Sequence, residues 1–245
     1  MNLVRRAAKG AAGDVDRISW RDAKGVHTTR VSNEHRLNEL MPEGRARIAP
    51  KYKGQLNYQG HYWFEGVRGM VWHESMAEYS WLMMFDHMRA VRAVSAQPFV
   101  LGFADGTTHV PDYLMRTADG SRIVLDVHLQ SMTSERDRQA FASTQRVCNE
   151  LGWEYVLVDQ LPDVTAWNLE MVSRYRHPMF KPSSDVRARI LRSACNAPRY
   201  GALRRALETD KPGEHVPALM HLMWHRELLI DLDAVFTDNS AVTAV

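Results

Sequence analysis

The chain has 245 residues, 45% hydrophobic and 24% charged, enough for one large or two small globular domains with a real core. Two cysteines exclude a disulfide framework or a zinc–thiolate set. No apolar run approaches membrane-spanning length, and Met1 to Gly10 has no apolar core after its arginines, so neither a membrane span nor a secretory signal is expected and the expected location is cytoplasmic.

Net charge is only +2, but it is unevenly spread. Residues 1–60 carry twelve Lys/Arg against six Asp/Glu, residues 61–165 eight against fourteen, and residues 166–245 eleven against nine. An acidic centre between basic flanks suits a protein that grips a polyanion at its edges and collects metal at its centre.

Residues 1–54 are expected to form a basic N-terminal arm, within which Arg17 to Trp20 and Gly25 to Val31 can pair as a short hairpin. Residues 55–165 read as the catalytic domain. Its aromatic stretch around Tyr58, Tyr62, Trp63 and Phe64 suits one or two strands. A helix follows from His73, with Tyr79, Leu82, Met83 and Phe85 at helical spacing and Glu74 and Glu78 in its first turns, where the helix dipole favours acids. Strands are predicted at Val91 to Val94, Phe99 to Phe103, His109 to Met115 and Arg122 to Leu129, the last two joined as an antiparallel hairpin at Asp119-Gly120. A helix over Ser134 to Leu151 stops at Gly152, and Tyr155 to Val158 reads as a buried strand. Residues 166–245 turn helical, at Trp167 to Tyr175, Asp185 to Ala194, Arg199 to Leu207 and Val216 to Trp224, before a strand at Leu228 to Leu232. Prolines near the helix starts suggest a small winged-helix-like domain. The expected class is α/β, a mixed sheet flanked by helices. Cys148 and Cys195 both fall in helical surroundings and are expected in the core.

Asp112 follows Pro111, and Asp126 lies between Leu125 and Val127, each in an otherwise apolar strand. Two aspartates on adjacent strands repel unless a proton or cation intervenes, which points to a metal site. The Val127 carbonyl offers a further hard oxygen, suiting Mg²⁺ or Mn²⁺. Glu74 and Glu78 share one helix face, and either can complete the shell or simply complement the helix N-terminus; Glu78, beyond the first turn, is favoured as the ligand.

The ordered set Trp72-His73-Glu74-Ser75-Met76-Ala77-Glu78, Ala96-Gln97-Pro98-Phe99, His109-Val110-Pro111-Asp112-Tyr113 and Leu125-Asp126-Val127 resembles the TnsA-like endonuclease subunits of heteromeric transposases. Ala218 to Trp224 followed by Leu228 to Leu232 is similar to the end of such proteins, so the resemblance runs from about Lys51 to Leu232. The family belongs to the PD-(D/E)xK nuclease superfamily. The resemblance implies a nuclease-like mixed sheet in which Glu78, Asp112 and Asp126 hold metal. It also implies hydrolysis of one strand of duplex DNA at a transposon end, beside a DDE-type transposase that joins the other. The helix over Ser134 to Leu151 would line the cleft, with Gln145 and Arg146 as DNA contacts, and the C-terminal domain would bind DNA or the partner. A homo-oligomer in the DNA complex is compatible with this role.

The departure is His128, where the family has lysine. Lysine is charged at any physiological pH, whereas an imidazole, near 6.5 in model peptides, is mostly neutral at pH 7. Gln130, two residues on, cannot supply the charge. Three outcomes stay open, the first two being a transposase-associated nuclease using histidine and a nuclease-fold subunit that binds DNA and assembles without efficient cutting. A stand-alone restriction-type nuclease is a third. The acid-free stretch 186–205 holds Arg187, Arg189, Arg192, Arg199, Arg204 and Arg205, a surface for phosphates or for an acidic partner. His215, His221 and His225 lack the further ligands that zinc requires.

Overall fold

Local signals and distant pairings contribute in different parts of the chain. The computed structural model describes residues 15–33, 37, 39–47 and 58–245. Expectations for the remainder of the N-terminal arm and for the start of the resemblance at Lys51 lie outside the described residues. The described chain forms two compact units, one ending at Gln160 and one beginning at Leu161, with Met83–Met88 counted in the second.

In the first unit, β1 (Arg17–Asp22) and β2 (Gly25–Arg30) form the expected hairpin. It is not part of an arm, however. β1 also pairs antiparallel with β6 (Phe99–Gly102), from Arg17↔Gly102 to Trp20↔Phe99, and β6 pairs with the short β7 (Thr108–His109). Ile18, Val31, Leu37 and Leu40 are buried in one core with Phe99, Leu101, Leu114, Val124, Val147 and Trp153. Apolar side chains in this number cannot be left in water without losing about 1.5–3 kcal/mol each, which explains why the segment docks. Asp16 adds a polar tie, accepting from the Ala104 N–H at 3.0 Å and pairing with Arg146 at 2.5 Å.

Next come β3 (Gly60–Phe64) and β4 (Gly69–His73), a separate antiparallel pair, and then helix α1 (Met76–Met88). β5 (Val91–Ala96), β8 (Tyr113–Thr117), β9 (Arg122–Val127) and β10 (Glu154–Val158) build the second four-stranded sheet, in the order β10-β9-β8-β5. β8 and β9 are the predicted hairpin, closed by Gly120 in the left-handed region at φ 88°. β9 and β10 run parallel, so the sheet is mixed. β10 is its edge, which is why Glu154 and Leu157 are exposed where a buried strand was expected. The crossover to β10 is helix α2 (Glu135–Glu150), capped reciprocally by Ser134 and Asp137 and followed by Gly152 at φ 67°. Cys148 is buried on α2, and burial pushes its thiol up to about 12.

The second unit adds α3 (Asp163–Ser173), α4 (Ser184–Asn196), α5 (Tyr200–Ala206) and α6 (Val216–Trp224). A two-stranded ribbon, β11 (Leu228–Leu229) with β12 (Thr243–Ala244), completes it. The predicted strand to Leu232 is thus only two residues long, and the unit begins before residue 166 because Pro162 starts α3 early. α3 buries Thr165, Asn168, Leu169, Val172 and Ser173, one face at helical spacing. Asn168 holds the following loop by donating to the Leu232 and Ala234 carbonyls, both at 2.8 Å. Cys195, expected in the core, is exposed; its neighbour Ala194 faces inward instead. The architecture is α/β, with a mixed sheet in the first unit and helices dominating the second. Among the described residues no helix is long and apolar enough to cross a membrane.

Candidate active site

Pairing in the β8–β9 hairpin runs outward from Arg116↔Arg122 to Tyr113↔Leu125, so the next opposed residues are Asp112 and Asp126. Asp112 itself lies in the bend before β8, not within a strand, because Pro111 has no N–H to contribute to a ladder. The side chains stitch the open end of the hairpin. Asp126 Oδ1 accepts the Asp112 N–H at 3.1 Å, and Asp112 Oδ2 accepts the Val127 N–H at 2.9 Å. Both carboxylates line one open cavity of about 340 Å³.

Asp126, 3% exposed, is oriented by two further groups. Its Oδ2 accepts from the Tyr155 hydroxyl at 2.6 Å and lies 2.7 Å from His109 Nε2. Burial and the charge of Asp126 push the Tyr155 phenol above its ordinary range. Asp112 carries the strain of the arrangement. Burial, then the negative charges of Asp126 and Glu78, hold its carboxyl well above the usual carboxylate range; the Val127 N–H and the Arg47 charge offset this in part.

Glu78 does not join the two aspartates as a free ligand. Its Oε2 accepts from the Glu74 N–H at 2.9 Å and its Oε1 from the Ser75 hydroxyl at 3.0 Å, while Ser75 Oγ accepts the Glu78 N–H at 3.1 Å. The Tyr113 hydroxyl also stands 3.0 Å from Oε2. This is a near-reciprocal cap on α1, the role that the sequence offered as the alternative to ligation. Burial nevertheless raises the Glu78 carboxyl above its ordinary range. Glu74 is ion-paired to Arg47.

His128 follows the end of β9, its N–H donating to the Val158 carbonyl at 2.8 Å. The ring meets Phe141 edge-on at 5.1 Å, and Nε2 stands 4.0 Å from Asp137 Oδ2. That nitrogen is buried and lacks a hydrogen-bond partner among the described residues. Gln130 opens a short 3-10 turn, Gln130–Met132, and is exposed. α2 lines the cavity through Asp137, Ala140 and Phe141 rather than Gln145 or Arg146. Gln145 instead bonds to Asn149 along the helix, and Arg146 pairs with Asp16.

Among the described residues no three His, Cys, Asp or Glu side chains are placed to hold one metal ion. What the cavity does offer is two opposed carboxylates whose repulsion a cation would relieve, the backbone at Val127, and an orphaned imidazole nitrogen. That set fits Mg²⁺ or Mn²⁺, which bind through one or two carboxylates and fill the remaining positions with water and phosphate oxygens.

Sequence inspection passed over Arg47, His109, Asp137, Phe141 and Tyr155. The Ser134-x-x-Asp137 cap is legible, and Phe141 lies on the helix expected at the cleft; Arg47 and His109 reach the cavity, and Tyr155 reaches Asp126, by pairings that no local pattern signals.

The C-terminal arginines are less free than their acid-free stretch suggests. Arg187 is ion-paired to Glu227, Arg204 reaches Asp238 at 3.1 Å with Arg205 at 4.0 Å, and Arg199 donates to the Asn239 carbonyl at 2.6 Å. Asp238 reaches them because residue 201 is glycine: a Cβ there would lie 2.7 Å from Asp238 Cβ. Arg189 and Arg192 make no ion pair among the described residues. His221 and His225 turn to the Tyr175 and Arg176 carbonyls at 2.7 and 3.4 Å.

Comparison with known proteins finds no family model that matches the chain and no curated protein significantly similar to it.

Proposed function

We propose that this chain is a metal-dependent DNA endonuclease subunit of the TnsA-like, PD-(D/E)xK type, hydrolysing a phosphodiester at a transposon end beside a DDE-type transposase. The observation that carries the proposal is the opposition of Asp112 and Asp126 at one cavity, with Asp112 held above the carboxylate range by burial and then by its like-charged neighbours. Asp112 and Asp126 are the residues that would hold Mg²⁺ or Mn²⁺, which would supply Lewis acidity and a water of lowered pKa. The chain's own residues supply position. His109 and Tyr155 fix the rotamer of Asp126, and the Val127 N–H fixes that of Asp112. His128, braced by Phe141, has at Nε2, 4.0 Å from Asp137, no hydrogen-bond partner among the described residues, which leaves it to hold a water or a phosphate oxygen. In the second unit, Arg189 and Arg192, without an ion pair among the described residues, are the arginines of the basic stretch left to meet DNA phosphates.

The weakened or non-cutting alternative also has an observation in its favour: the family's third carboxylate, Glu78, is committed to capping α1. Nicking of supercoiled plasmid separates the two. The nuclease account expects nicking with Mg²⁺ or Mn²⁺ that EDTA, Asp112→Asn or Asp126→Asn abolishes. No nicking under any metal, with the partner transposase present and DNA binding intact, would establish the alternative.

A further inference from the structure

We propose that Arg47 is the phosphate-binding cation of the cavity, supplying the fixed positive charge that lysine supplies at position 128 in the nucleases this chain resembles. The assignment rests on the nuclease reading above and names a residue that the family pattern does not.

Among the described residues the cavity wall holds three carboxylates, Asp112, Asp126 and Asp137, and two imidazoles. A phosphodiester entering such a wall meets net negative charge unless a permanent cation faces it. Arg47 is that cation among the described residues: it lines the same cavity, and its charge is felt at Asp112. A guanidinium stays protonated throughout the working pH range and presents five N–H donors in a planar fork suited to phosphate. Among the described residues Glu74 engages Nη2 alone, on a side chain 46% exposed.

The backbone is built to hold it there. The Ala46 N–H donates to the Gln97 carbonyl at 2.8 Å, and the Gln97 N–H donates to the Asp112 carbonyl at 2.7 Å. Arg47 is thus two hydrogen bonds from the aspartate it serves. Gln97 sits at φ 47° and is 2% exposed, a strained and buried position of the kind that persists where surrounding structure demands it. On the other side of Ala46, Arg45 is anchored with its guanidinium 4.1 Å from the centre of the Trp72 ring. Glu74 then acts as a positioning residue, aiming the fork.

A purely structural Arg47–Glu74 pair is the competing account, and four proteins separate them: wild type, Arg47→Gln, Arg47→Lys and Glu74→Gln. Duplex binding is measured in Ca²⁺ across a salt series, nicking in Mg²⁺, and folding by thermal melting. Phosphate contact predicts that Arg47→Gln flattens the log K against log salt slope by about one unit. It also predicts slower nicking by about a hundredfold, the usual loss when one donor to a developing oxyanion is removed. Arg47→Lys should keep the slope and recover part of the rate, and it keeps the variant set informative if the glutamine variant fails to fold. Glu74→Gln should keep the slope. Unchanged slope and rate in Arg47→Gln, with wild type active, overturns the Arg47 assignment alone. Equal losses in Arg47→Gln and Glu74→Gln, tracking lost thermal stability, overturn it in favour of the structural pair. Absence of both binding and nicking in wild type overturns the nuclease reading, and Arg47's role with it.

Discussion

Replacing Asp112 by asparagine should stabilise the metal-free protein at neutral pH. Asparagine keeps an oxygen for the Val127 N–H, 2.9 Å from the carboxylate now, and removes a charge that faces Asp126 across the hairpin. Two like charges about 4 Å apart repel by roughly 4 kcal/mol at an effective dielectric of about 20. Protonation of Asp112, partial screening and the amide's unpaired N–H groups reduce this, leaving about 1–3 kcal/mol, or roughly 2–10 °C in melting temperature. The sign follows from linkage. Asp112 has a raised pKa in the folded state, so the fold binds its proton more tightly than the unfolded chain does. Its contribution therefore falls as pH rises from the ordinary carboxylate range through the raised value. The gain from Asp112→Asn should appear at pH 7.5 in EDTA and vanish at pH values below the ordinary carboxylate range. Saturating Mg²⁺ should reverse the order, since wild type gains about 2.7 kcal/mol at a hundred times its Kd and the variant gains little. Melting curves in EDTA and Mg²⁺ at both pH values check this. A variant less stable than wild type at pH 7.5 in EDTA would refute the like-charge account.

Three further outcomes are expected. His128→Ala should slow Mg²⁺-dependent nicking by about a hundredfold or more, and His128→Lys should preserve or raise it; equal rates in all three proteins would remove the residue from the mechanism. Ile18→Ala, at a fully buried position packed with Leu114 and Val124, should cost about 2–5 kcal/mol in denaturant unfolding, whereas a loss near zero would return residues 15–47 to the status of an arm. Arg192→Ala should lower the salt slope of duplex binding by about one unit, while Arg204→Ala should change it little as long as its pair with Asp238 stays closed on DNA. The reverse order would mean that the Asp238 pair opens on DNA.

The legible parts of the fold were those built from near neighbours. The β8–β9 hairpin follows from apolar runs around Asp119-Gly120, α2 from Ser134 and Gly152, and the C-terminal helices from their periodicity. What was not legible depends on partners far along the chain. β1 looks like part of a basic arm until Phe99–Gly102 pairs with it some eighty residues later, and the same docking brings Arg47 to the cavity. The acid-free stretch 186–205 reads as a free cationic face because its counter-charges, Glu227 and Asp238, come later in the chain. Glu78 illustrates a different limit. Ligand and cap need the same residue at the same spacing, and only the hydrogen bonds to Glu74 and Ser75 distinguish them.

The central claim is that Asp112 and Asp126 together hold a hard divalent cation. Anomalous scattering from crystals soaked in Mn²⁺ tests it most directly. The account predicts one strong peak between the two carboxylates, lost in both Asp112→Asn and Asp126→Asn. No peak there at saturating Mn²⁺, or a peak that survives both substitutions, would contradict it.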